Sequence, residues 1–119
     1  MTILATTLTV LVALLHLYFM LLEMYFWDKP LGLRTFGLKP DYAKATKSLA
    51  ANQGLYNGFL AAGLIWGLSA GANGQSIKLF FLACVIIAGV FGALTANRKI
   101  IFIQAMPGAA AFVVTWLAA

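Results

Sequence analysis

Residues 52–71 read NQGLYNGFLAAGLIWGLSAG. The stretch is long and apolar enough to enter a membrane, yet its first third carries Asn52, Gln53, Tyr56 and Asn57. Each of those side chains costs free energy in hydrocarbon unless a partner meets it. Where the stretch sits in the bilayer, and what faces its amides, organises the reading of the whole chain.

The chain has 119 residues, of which 63% are hydrophobic and 9% charged. A soluble domain carries roughly 25% charged residues, and one core of this size could not hide so much apolar surface. The composition therefore predicts an all-α integral membrane protein, a single domain over residues 1–119. A lone cysteine, Cys84, excludes an internal disulfide. With no CxxC, HExxH, P-loop or GxGxxG motif present, neither a metal nor a cofactor is expected. The N-terminus lacks a basic leader region and a small-residue cleavage pattern, so it reads as a first span rather than a signal peptide.

A spanning helix needs about 20 mainly apolar residues. Four segments meet this, at about 3–27, 49–70, 77–96 and 100–118, which predicts a four-helix bundle. The first connection, residues 28–48 (DKPLGLRTFGLKPDYAKATKS), holds Pro30 and Pro40 and reads as loop with a short interfacial helix near 41–48. The second, AGANGQS at 70–76, is a Gly/Asn turn, and the third turns tightly around Asn97, Arg98 and Lys99. Lys29, Arg34, Lys39, Lys44 and Lys47 lie in the first loop, Arg98 and Lys99 in the third, and only Lys78 on the opposite side. The positive-inside rule then makes loops one and three cytoplasmic and places both termini outside. Topology and anionic lipid contact account for the basic charge, so no nucleic-acid partner is expected.

At 100° per residue each helix shows one polar or small face. Thr9, Val12, His16, Met20, Glu23 and Trp27 form a stripe on the first. Asn52, Gln53, Tyr56 and Asn57 span an arc of about 140° on the second. Gly89, Gly92, Ala93 and Ala96 share a face of the third, and Gln104, Gly108, Ala111 and Thr115 one of the fourth. Small faces let helices approach, and polar groups bond across the contact. Glu23, Asn52, Gln53 and Gln104 fall roughly 5–8 Å below the cytoplasmic boundary, with Tyr56 and Asn57 a turn deeper. This predicts a polar pocket open to the cytoplasm, with Glu23, Asn52, Gln53, Tyr56, Asn57 and Gln104 as ligand-binding residues.

Glu23 is the only acid in the four segments, and an ionisable group inside a span is a functional candidate by default. Glu23, Tyr56 and His16 are the candidates for catalysis, if a reaction is catalysed at all. Each also has a plainer reading. Glu23 could pair with Arg98, Lys99 or Asn52. His16, about 10 Å from Glu23 along the stripe, could be a packing residue. Trp27 suits an aromatic belt, and Gln104 could repair the backbone loosened by Pro107. Four short helices enclose little volume, so a homo-oligomer is expected.

The segments HLYFMLLEMYFW, ANQGLYNGFLAAG, GVFGALT and IQAMPGAA resemble a family of small bacterial four-helix membrane proteins known as a domain of unknown function. The resemblance covers nearly the whole chain and rests on His16 with Glu23, on NQGLYN, and on Gln104 with Pro107. More distantly, the helix order and PDYAKATKSLAANQGLYNGFLAAGLIW resemble the superfamily of membrane-associated proteins of eicosanoid and glutathione metabolism (MAPEG). That resemblance implies a trimer that binds glutathione at subunit interfaces on the cytosolic side, with Lys47, Asn52, Tyr56 and Phe59 at matching positions. The acid one turn after the asparagine in that superfamily has no counterpart here, where Leu55, Tyr56 and Asn57 stand.

Three functions compete at this level. The first is a MAPEG-like protein that binds, and could transform, an amphipathic or lipid-like ligand. The second is a small proton-coupled transporter, against which stand the seven-to-one charge bias and the position of Glu23 near one helix end. The third is a structural membrane subunit whose polar cluster serves as interhelical hydrogen bonding.

Overall fold

The computed structural model describes residues 1–118, and nearly all of them are helical, with no strand among them. The elements are α1 (Thr2–Tyr25), α2 (Pro30–Phe36), α3 (Pro40–Ala45), α4 (Lys47–Ser69), a 3-10 turn (Gly71–Gly74), α5 (Gln75–Thr95), a π-helical turn (Ile101–Ala105) and α6 (Met106–Leu117). The first connection thus holds two short helices: α3 overlaps the helix expected near 41–48, and α2 stands where loop was expected. Both begin with proline at the first helical position, where the missing N–H costs nothing and the fixed φ favours the helix. Gly37, in the left-handed conformation, ends α2.

The π-helical turn has a local cause. Pro107 has no N–H for the carbonyl four residues before it. The chain widens there, and the Met106 N–H reaches back to the Ile101 carbonyl instead.

Two helical stretches, Thr2–Tyr25 and Gly71–Thr95, are long and apolar enough to cross a membrane. Only 28% and 22% of their most apolar windows are buried within the protein. Ile3, Leu94 and Ile87 are among the large apolar side chains left outside. Ile101–Leu117 is apolar but shorter. The Asn, Gln and Gly content at the start of α4 dilutes an otherwise adequate length.

The residues cluster into two compact units, each with contributions from α1 and α4. One comprises Met1–Leu14 and the stretch from Leu60 onward. Its core is Val12, Ala13, Leu64, Leu82, Val85 and Ala111, with Leu8, Leu60, Phe81 and Phe112 against it. The α4–α5 turn belongs to this unit. There Gly74 lies so close to Gly67 that a Cβ would overlap the Gly67 carbonyl oxygen. The Gln75 amide also donates to the Thr115 carbonyl, at 2.6 Å.

The other unit is Leu15–Phe59. Gly32 of α2 is buried against the backbone carbonyls of Phe26 and Trp27, where no larger residue fits. The Trp27 indole N–H donates to Thr46 Oγ1 at 3.0 Å, and the Thr46 hydroxyl donates to the Tyr42 carbonyl at 2.8 Å. The Trp27 ring also meets Phe36, with centroids 5.0 Å apart. The first connection is therefore strapped to the end of α1 by one indole and one glycine.

Candidate functional site

The candidate site lies within the unit Leu15–Phe59. On α4, Gly54, Asn57 and Gly58 share a face of about 100°. Gly54 and Gly58 present no side chain, so Met20, Glu23 and Met24 of α1 fill the space above them. A Cβ on Gly54 would lie 2.7 Å from Met24 Cγ and 3.0 Å from Glu23 Cβ. Two glycines one turn apart thus bring the α1 stripe down onto α4, the close approach that small residues permit between helices.

The same approach brings two polar side chains together. The Asn57 amide Nδ2 donates to Glu23 Oε1, with both residues half-buried. A carboxyl oxygen is a good acceptor for an amide N–H. The second Asn57 N–H, its Oδ1 and the second carboxylate oxygen give the pair further hydrogen-bonding capacity. Chemically it can hold a hydroxyl, an amine or another polar head by donating and accepting at once.

The remaining predicted residues are placed differently. Asn52 and Tyr56 lie on the side of α4 opposite Gly54, and both are exposed, as is Gln53. The Tyr56 ring contacts Phe59 on that outer side, with centroids 6.0 Å apart. The helical arc thus divides: Asn57 turns to Glu23, and the other three face outward. His16 is fully buried and meets the Phe19 ring edge-on, with centroids 5.5 Å apart. Gln104 belongs to the other unit, where its amide donates to the Val85 carbonyl at 3.1 Å rather than to the backbone beside Pro107. No cluster of metal-ligating side chains occurs among the described residues. The inner-edge glycines Gly54 and Gly58 were the signal for which edge of the arc turns inward.

Just past the end of α1, Asp28 Oδ2 pairs with Lys47 Nζ at 3.3 Å. Partial desolvation works to raise this carboxyl, but the hydrogen bond and charge of Lys47, helped by Lys29, outweigh it and hold the carboxyl below its usual range. A depressed carboxyl contributes stability that is present above its unfolded value and is lost as pH falls through its folded value. Acidifying below the ordinary carboxylate range should therefore loosen the start of α4. Thermal melts from pH 6 down to pH 3 should show a steeper loss for the native protein than for Asp28→Asn.

Residues 10–116 match the family described as "Protein of unknown function (DUF1304)". The chain is also 34% identical over 106 residues to "Uncharacterized protein YpaA" of Lactococcus lactis subsp. lactis, a match covering 87% of this chain and 89% of that protein. No solved structure matches the chain.

Proposed function

We propose that this chain, which belongs to the DUF1304 family of proteins of unknown function, is a multi-pass membrane protein that binds the polar end of an amphipathic molecule at the Glu23–Asn57 pair. The apolar helices whose surfaces the protein itself leaves uncovered support the membrane placement. In this reading α1, α4, α5 and the π-turn with α6 are the four spans of a bundle in a bacterial inner membrane. The basic connection between α1 and α4 is cytoplasmic, and both termini are outside.

One observation carries the ligand reading. The only acid of the long helices is met by an amide from a second helix, where two glycines let the helices approach. A lone acid at membrane depth is expensive, which makes such a pairing a functional candidate. The ligand's apolar tail would lie in lipid along the exposed side chains of α1 and its head would reach Glu23. The MAPEG-like homo-oligomer belongs to the same proposal: Asn52, Gln53 and Tyr56, facing away from Gly54, are available to a neighbouring subunit in an assembly such as a trimer. The reading needs no cofactor, and glutathione is one thiol-bearing candidate among the amphipathic ligands.

Purified protein in detergent tests it against a monoacylglycerol, a quinone and a glutathione conjugate. At least one should raise the melting temperature by several degrees, and Glu23→Gln should abolish the rise. If no member of the panel shifts melting and Glu23→Gln changes stability alone, the pair is interhelical hydrogen bonding and the chain is a structural subunit.

A further inference from the structure

The connection between α1 and α4 repeats a small pattern. KPLGLR (29–34) and KPDYAK (39–44) each begin Lys-Pro and place a second cation five residues after the lysine. In each case the lysine precedes a short helix in extended conformation, and the second cation sits in that helix's last turn. Residues 28–48 hold five cations against two acids. Lys47 is engaged by Asp28, and Lys29, Arg34, Lys39 and Lys44 are all exposed.

These four cations are carried on a folded support. Gly32 seats α2 directly on the carbonyls that end α1. Trp27 ties α3 to the same place through Thr46. An aromatic anchor of a membrane interface normally turns its polar tip toward headgroups, but here the indole N–H is used to hold the connection. Tyr25, Phe26, Tyr42 and Leu49, in the same stretch of chain, are exposed as well and add apolar and amphipathic surface. A fixed set of four cations among exposed aromatics, next to the end of an apolar helix, fits a surface that is anionic above and apolar below.

We infer that the strapped connection, through Lys29, Arg34, Lys39 and Lys44, is a docking platform for the headgroups of anionic phospholipids. The occupant follows from charge complementarity and from the exposed aromatic side chains, which a free anion would not need. Each basic residue held at an anionic membrane surface strengthens attraction by about fivefold. The inference rests on the membrane placement proposed above and not on the Glu23 site.

The test uses the full chain in a neutral detergent, with melting temperature followed against dihexanoyl phosphatidylglycerol, dihexanoyl phosphatidylcholine and inorganic phosphate. Phosphatidylglycerol should raise the melting temperature, while the other two should not. Combining Lys29→Gln, Arg34→Gln, Lys39→Gln and Lys44→Gln should raise the concentration for half the effect by more than tenfold. Lys78→Gln should leave it unchanged. An equal response to phosphatidylcholine, a response reproduced by phosphate, or a fourfold variant that responds like the native protein would each overturn the proposal. The phosphatidylglycerol response should survive Glu23→Gln, which separates this platform from the Glu23 site. Carbonate extraction of cell membranes checks the membrane placement independently.

Discussion

Replacing Gly74 by alanine should destabilise the protein more than any other single methyl added at a glycine of the α4–α5 turn. Its φ is ordinary, so the cost is steric alone. The new methyl would overlap the carbonyl oxygen of Gly67, a backbone atom in the last part of α4, with no rotamer to yield. Either α4 or α5 must shift. Overpacking of this kind costs about 1–3 kcal/mol, and a backbone-on-backbone clash belongs at the upper end. Gly71, in the same turn, separates this from simple loss of flexibility. It has φ 59 and open space around its Cβ position. Gly71→Ala should cost about 1 kcal/mol, the left-handed penalty of an ordinary residue. Equilibrium unfolding in mixed detergent should rank Gly74→Ala well below Gly71→Ala. Equal effects would mean that the close approach of Gly74 to Gly67 is not a feature of the folded protein.

Removing Asn57 should have the second large effect, because it leaves half-buried Glu23 without the donor that meets it. Asn57→Leu should cost about 1–3 kcal/mol, the penalty for stranding a polar group whose partner has gone. Glu23→Leu removes the acid as well as the bond and should cost less. The double variant should be more stable than the sum of the two, since nothing polar remains to be stranded. In membrane proteins such couplings average about 0.6 and reach about 1.7 kcal/mol. A coupling within that range is expected for the Glu23–Asn57 pair. A double-mutant cycle measures it directly. Strict additivity would show that Glu23 and Asn57 do not act as a unit, and the ligand reading would lose its foundation.

The long helices were legible because apolar runs of about 20 residues leave few other structures open. The short helix α2 was not, since seven residues around Pro and Gly show no usable period, whereas α3 overlaps the short helix expected near 41–48. Their proline starts were visible all the same, and Pro30 and Pro40 are better read as helix beginnings than as breaks. Periodicity correctly gathered Asn52, Gln53, Tyr56 and Asn57 on one arc but could not say which edge turns inward. That depends on where a neighbouring helix can approach, and Gly54 and Gly58 decide it. Gln104 was harder still. The 100° projection put it on one face with Gly108, and both do meet Val85, but periodicity could not name the carbonyl its amide reaches. Trp27 was expected in an aromatic belt, and nothing local to it pointed to Thr46, 19 residues away.

The hydrogen-bonded indole of Trp27 has an optical consequence. The chain's three tryptophans occupy unlike surroundings: Trp66 and Trp116 are about three-fifths exposed, while Trp27 is held between a hydroxyl and a phenyl ring. Emission from Trp27 therefore reports on the strapped connection, while the other two report on whatever surrounds the apolar helices. The protein carries its own spectroscopic labels for the basic connection and for its apolar exterior, with no dye to attach and no cysteine to introduce.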